Sequence, residues 1–328
     1  RELTQHYPTP GWVEHDPEEI WASVAEVVPL ALAKAGVTPA QIVSIGVTNQ
    51  RETALIWDRK SHAPVRRAIV WQDRRTSEYC RTHHPDEPWL FEKTGLVLDP
   101  YFSATKLVWM LEQEAALRSR AEQGELAAGT IDSFLIWRLT AGKVHATDRT
   151  NASRTLLVHL HTGEWDEELM RYFHIPCSLL PEIRPSSGTF GVTSGLSFLP
   201  DGIPIQGVAG DQQAALFGQG AFREGEAKCT YGTGAFFLQH LGEKPILSRH
   251  RLLTTIAASG AGPVQYALEG AVFVAGAAVQ WLRDGLKLFE SAPAIEALAS
   301  QSDLEQPVVF VPGFVGLGAP HWVPEARG

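Results

Sequence analysis

Residues Gly207–Phe236 read GVAGDQQAALFGQGAFREGEAKCTYGTGAF, and the rest of the chain is organised around them. A short apolar run (Ile205, Val208, Ala209) predicts a strand that ends in Gly210-Asp211. Such an ending points an acidic side chain into a crevice, although the same Asp serves equally well as the N-cap of the helix predicted over Gln212–Gly218. Further on lies the glycine-flanked threonine turn Gly232-Thr233-Gly234. It offers bare backbone N–H groups and a hydroxyl to an anion. An acid and a phosphate cradle on neighbouring elements suggest phosphoryl transfer, where positioning and charge neutralisation do most of the catalysis.

Upstream, Ile42–Thr48 (IVSIGVT) reads as an apolar strand buried on both faces. The polar run Asn49-Gln50-Arg51-Glu52-Thr53 follows it, at the end of a strand where open α/β sheets bind ligands. Arg51 and Glu52 are therefore candidates for a site, the alternative being a solvated turn with a surface ion pair. Ala54–Trp57 and Ala68–Trp71 read as strands joined through His62-Ala63-Pro64. Trp71 is either a pocket wall or core. Tyr101, just ahead of a helix carrying Leu107, Met110 and Leu111 on one face, is core, rim or ligand contact.

Asp16-Pro17-Glu18-Glu19 predicts a helix start, and the helix runs to about Ala35, with a kink at Pro29 and a stop at Gly36. Thr38 to Gln41 is a second, short start with a capping-box Gln. His83-His84 reads as an exposed helix end. Ile131–Leu139 is an amphipathic helix, Ala146–Leu157 a polar link running into a strand, and Pro176–Gly195 an irregular connection. Gln219–Glu226 is the expected domain boundary. Beyond it come strands at Cys229–Thr230, Ala235–His240, Leu252–Ala257 and Val264–Leu268, then a long helix, Gly270–Leu288. A strand at Val308–Val311 opens the Gly313–Gly318 loop. Strands followed by a helix in both halves suggest a duplicated α/β unit.

The chain has 328 residues, enough for two domains, and its 44% hydrophobic and 20% charged content is that of a globular protein. A formal charge of −9 argues against a nucleic-acid surface. No apolar run approaches the roughly 18 residues of a membrane span. Cys80, Cys177 and Cys229 are scattered, without metal spacing, which favours a reducing cytosol and a cytoplasmic location. Neither the P-loop, nor G-x-G-x-x-G, nor G-x-S-x-G occurs. Arg1-Glu2-Leu3 reads as the tail of a strand already under way, and the chain as a fragment of a longer protein.

Together these stretches resemble the glycerol kinases of the FGGY carbohydrate kinase family. The resemblance rests on Gly11 to Pro17, the NQRET run at Asn49, Ile69 to Gln72 and Asp99 to Ser103. It continues through a Lys106-x-x-Trp109 core, Gly210 to Leu216, Thr230 to Gly234, Ala267 to Gly270 and Gly316 to Pro320. It implies a ribonuclease H-like (actin-like ATPase) α/β fold of two domains, with duplicated sheet-plus-helices cores and the site in the cleft between them. The expected division is residues 1–220, polyol-binding with its first strands missing, and 221–328, the truncated start of a nucleotide-binding domain.

The implied reaction is ATP-dependent phosphorylation of glycerol to glycerol 3-phosphate, with Asp211 as catalytic base. Arg51, Glu52, Tyr101, Asp211 and Gln212 would hydrogen-bond the glycerol hydroxyls, and Trp71 and Phe236 would back its carbon chain. Gly232, Thr233, Gly234, Gly276, Gln280 and Gly316 would bind ATP. Mg²⁺ would bridge phosphate oxygens near Asp211, with no certain protein ligand. A homo-oligomer, dimer or tetramer, is the expected assembly. The family's Asp-x-Gly-Thr hairpin and its Asp-Gly-Gly turn are missing, and Ser194–Gly202 lacks the basic loop tied to sugar-bisphosphate regulation in some relatives. The alternatives are a kinase for another polyol or sugar, and an inactive polyol-binding fragment.

Overall fold

The computed structural model describes residues 1–303, 305 and 308–326. Two strands, Ile45–Asn49 and Ile205–Gly210, pair in parallel. Their register sets Gly46 beside Gly207 and Asn49 beside Gly210. The Gln50–Thr53 turn and Asp211 therefore leave from the same end of the same sheet, the carboxyl edge that binds ligands in open α/β sheets. The upstream strand corrects the sequence expectation. It spans Ile45–Asn49, and it is covered on one face only. Ile45 and Val47 pack toward Ile136, Leu139 and Phe190, while Gly46 and Thr48 stay exposed. Among the described residues it pairs with one strand alone, and Val43 is 84% exposed.

Beside this pair stands a four-stranded antiparallel sheet in the order Glu14–His15, Ala68–Ile69, Ala54–Asp58, Leu126–Thr130. Strand alternation divides Ala54–Trp57 between two clusters. Leu55 and Trp57 pack with Phe134 and Trp137 from the helix Ile131–Leu139, and Ala54 and Ile56 face the main core. Trp71 lies beyond the strand end, at the cavity described below. The helix Pro17–Ala35 sets Ile20 against Leu55, Trp57 and Ala68 on one face of the sheet. Asp16 caps it, accepting from the Glu18 N–H at 2.9 Å, and Gly36 closes it at φ 67°. It runs unbroken through Pro29. Arg1–Leu3 form no strand; Arg1 pairs instead with Glu26 on the helix.

Ala146–Leu157 is not a polar link. It forms the strand Ala146–Asp148 and the short helix Arg149–Ala152, and it is almost wholly buried. Its polar groups bond one another. Asp148 accepts from the backbone N–H groups of Thr150 and Asn151, each at 3.0 Å, and from Ser186 Oγ at 2.7 Å. Burial of polar side chains is tolerated when they are paired in this way.

The second half is built on an antiparallel sheet ordered Ala227–Tyr231, Ala235–Gly242, Tyr266–Val272, Leu253–Ile256. Pairing of Ala235 with Val272 holds Gly270–Val272 in the sheet. The helix expected over Gly270–Leu288 is therefore Gly276–Asp284. No strand forms at Val308–Val311, where Val308 is 94% exposed. The two halves share one apolar cluster that holds Tyr101, Phe102, Leu238, Phe273 and Trp322 together. Among the described residues no helix is long and apolar enough to cross a membrane.

Candidate functional site

The Gln50–Thr53 turn is not solvated. Arg51 and Glu52 are 2% and 1% exposed. Glu52 sits in the left-handed region at φ 58°, a conformation that costs a non-glycine residue about 1 kcal/mol or more and needs its surroundings to hold it. A buried ion network does so. Arg51 makes a bidentate pair with Glu269, Nη1 to Oε2 at 2.6 Å and Nη2 to Oε1 at 2.9 Å. Arg154 donates from Nε to Glu52 Oε1 at 2.5 Å and from Nη2 to Glu269 Oε1 at 3.0 Å. Two guanidiniums and two carboxylates thus interlock with no net charge. Planar guanidiniums suit this, because each serves two carboxylates with fixed geometry.

The surroundings set the titration of the two acids apart. Burial alone would raise Glu269, but Arg154 and Arg51 outweigh it and hold its carboxyl down at about 2. At Glu52 burial prevails over the same two arginines, with Glu269 adding repulsion, and the pKa is raised. Burial also raises the Tyr101 phenol, which keeps its proton and accepts from Arg51 Nη2 at 3.3 Å.

Asp211 is the first residue of the helix Asp211–Gly218, with Gly210 at the cap position. Its side chain is 45% exposed, and Oδ1 lies 3.5 Å from Arg51 Nε. Oδ1 also accepts from the Gln212 N–H at 2.8 Å, and Oδ2 from Gln212 Nε2 at 3.2 Å. The carboxylate therefore sits at the positive end of a helix dipole while facing solvent. Gly210 is needed here. A Cβ at this position would fall 2.6 Å from Arg51 Cγ.

These groups line one small cavity of about 50 Å³, whose walls are Gln50, Arg51, Glu52, Trp71, Tyr101, Asp211, Gln212 and Phe236. All seven residues expected at a polyol pocket are present. Trp71 meets Tyr101 and Phe236 edge-on, at centroid distances of 5.8 and 6.1 Å, and supplies with Phe236 the apolar part of the lining.

The threonine turn lies nearby. Gly232 and Thr233 are exposed, at the tip between Ala227–Tyr231 and Ala235–Gly242. The start of the helix Gly276–Asp284 docks on it: Gly276 N–H donates to Gly232 O at 2.9 Å and Ala275 N–H to Thr233 O at 2.8 Å. A Cβ at Gly276 would fall 2.4 Å from Gly232 O, so only glycine allows this approach. Gln280, exposed, follows one turn along that helix. Gly316, at φ 89°, packs against Pro324 in the last loop. Within the turn the Gly232 N–H already donates to Gly234 O at 2.8 Å, and Gly234 is buried, so the exposed groups are those of Thr233. No group of three His, Cys, Asp or Glu suited to a metal occurs among the described residues.

Sequence reasoning missed Glu269, Arg154 and Lys106 as supports of the site. Glu269, a lone acid in the apolar strand Tyr266–Val272, carried a legible signal; Arg154 in a polar run did not. Lys106, 1% exposed, donates to the carbonyls of Glu52 and Tyr101 and so ties the two loops together. Burial lowers its pKa to about 7.

Comparison with known proteins places this geometry. The chain is 57% identical over 330 residues to a glycerol kinase of Alkalilimnicola ehrlichii and 56% identical over 329 residues to one of Methylobacterium nodulans. The whole chain aligns in both cases and covers 66% and 65% of those proteins, a little under two thirds of their length. Among solved structures, Plasmodium falciparum glycerol kinase with ADP superposes with a TM-score of 0.88 at 37% identity, over 100% of this chain and 66% of that one. A ligand-bound xylulose kinase from Lactobacillus acidophilus, at 21% identity and a TM-score of 0.85, shares the fold. The architecture is the ribonuclease H-like, actin-like ATPase fold in two domains. The N-terminal domain of the FGGY family of carbohydrate kinases matches residues 1–218, and its C-terminal domain matches residues 227–328. The chain belongs to the FGGY family of carbohydrate kinases.

Proposed function

We propose that the protein phosphorylates glycerol at a terminal hydroxyl, with ATP as phosphoryl donor and Mg²⁺ as its counterion. The observation that carries this reading is the single small cavity that joins Arg51, Glu52, Tyr101, Asp211 and Gln212 to the Trp71–Phe236 wall. A three-carbon polyol presents hydroxyls on one side and C–H groups on the other, and the cavity is divided in the same way. The glycerol kinases to which the chain is more than half identical support the choice of polyol.

In the proposed reaction the buried network presents Arg51 as a donor and Glu52 as an acceptor to two hydroxyls, with Tyr101 beside them. Asp211 receives the proton of the terminal hydroxyl as that oxygen bonds to the γ-phosphorus and the bond to the ADP oxygen breaks. Thr233 holds phosphate oxygens through its N–H and hydroxyl on the turn that Gly232 and Gly234 shape, with Gly276, Gln280 and Gly316 along the nucleotide. Mg²⁺, near Asp211, would neutralise charge on the phosphates. A cytoplasmic location fits the three free cysteines.

The test removes hydroxyls. Propane-1,2-diol and propane-1,3-diol each leave a buried polar group unpaired, so kcat/KM should fall by at least about 10²-fold for both. Turnover of either diol within about tenfold of glycerol would contradict a pocket built on paired hydroxyls.

A further inference from the structure

Lys228 lies outside the residues that line the cavity, yet it is 7% exposed and its ammonium bonds two of them, Gln212 and Phe236. An ammonium has three protons to donate. Here it finds three acceptors: Gln212 Oε1, Thr230 Oγ1 at 2.8 Å and the Phe236 carbonyl at 3.2 Å. The first belongs to the helix Asp211–Gly218, and the other two to the hairpin Ala227–Gly242. Lys228 therefore spans the two halves of the cavity.

Its contact with Gln212 has a chemical consequence. A lysine only donates, so it selects the oxygen end of the Gln212 amide and turns the nitrogen end the other way. That nitrogen then donates to Asp211 Oδ2 at 3.2 Å. Without the lysine the amide has no reason to keep this orientation. Flipped, it would set an oxygen against the Asp211 carboxylate.

We propose that Lys228 is a positioning residue for phosphoryl transfer, locking the Gln212 amide and through it the Asp211 carboxylate. The inference rests on the proposed polyol kinase reading. The charges acting on the ammonium come from every side: Glu269 on the strand Tyr266–Val272, Arg51 in the turn, Asp211 on the helix and Cys229 on its own strand. Burial dominates them and lowers its pKa to about 8. A neutral amine still donates but also offers a lone pair, so the amide is no longer held one way.

The test uses the full-length protein and compares Lys228→Met with Lys228→Arg. Lys228→Met should lower kcat/KM for the polyol by about 10- to 100-fold, the scale of a misplaced reacting group. Lys228→Arg, which still only donates, should recover most of that loss. It should also move the alkaline limb of the rate profile from near pH 8 to at least about one unit higher. A Lys228→Met rate within about twofold of the parent would overturn the proposal, as would an arginine variant no better than methionine. Glycerol turnover by the parent separates this from the substrate reading. If the parent prefers another polyol, the same comparison is made on that substrate. If it phosphorylates none, the side-chain amide resonance of Gln212 decides. Lys228→Met should shift it and Lys228→Arg should leave it nearly in place; an unmoved resonance in both overturns the proposal.

Discussion

Replacing Glu269 by Gln removes one negative charge from a network whose four members, Arg51, Glu52, Arg154 and Glu269, have side chains at most 2% exposed. Two buried guanidiniums would then share one carboxylate. Removing one partner of a buried ion pair costs about 3–5 kcal/mol, a large share of a domain's typical margin. The pKa gives an independent figure. The two arginines hold Glu269 down from 4.5 to about 2 on folding, which at about 1.4 kcal/mol per pKa unit is on the order of 3–4 kcal/mol. The sign follows from linkage. A carboxylate with a depressed folded pKa contributes its full stability above the unfolded value of 4.5 and loses it as pH falls through about 2. Glu269→Gln in the full-length protein should therefore unfold at lower urea near pH 7, by about 3–5 kcal/mol, with the gap to the parent closing between pH 4.5 and 2. A variant within about 1 kcal/mol of the parent at pH 7, or a gap independent of pH, would refute the network as described.

Asp211→Asn should keep glycerol binding, measured by calorimetry, and lose most of kcat. A kcat within about threefold of the parent, under ~1 kcal/mol, would show that Asp211 is not the base. Gly276→Ala places a methyl 2.4 Å from Gly232 O, so it should raise KM for ATP while leaving glycerol binding nearly unchanged. Gly210→Ala sets its methyl 2.6 Å from Arg51 Cγ, which Glu269 holds in place, so it should cost about 1–3 kcal/mol by overpacking and weaken glycerol binding more than ATP binding.

Much of the site was legible because its residues carry local signals. Asp211 closes an apolar strand, Arg51 and Glu52 follow another, and Gly232-Thr233-Gly234 is a glycine-flanked turn. Their convergence needed no more than two parallel strands ending side by side. What supports them was hidden for a physical reason. Arg154 and Glu269 act through contacts across 102 and 115 positions of the chain, beyond the reach of any periodicity. The polar run at Ala146–Leu157 looked like a solvated link because hydrophobic patterning assumes that polar groups face water. Paired polar groups break that assumption. The Gly270–Leu288 helix was overextended for the opposite reason: small and apolar residues suit helix and strand alike, and pairing with Ala235–Gly242 decided for the strand.

The most direct test of the account is ATP-dependent phosphorylation by the full-length protein with Mg²⁺, across glycerol, dihydroxyacetone, erythritol, xylulose and gluconate, with ADP release as the readout. The small cavity of about 50 Å³ with its paired polar groups predicts a strong preference for glycerol. Preference for xylulose or gluconate would contradict the substrate assignment of the cavity, and no turnover of any of them would contradict the kinase mechanism built on Asp211.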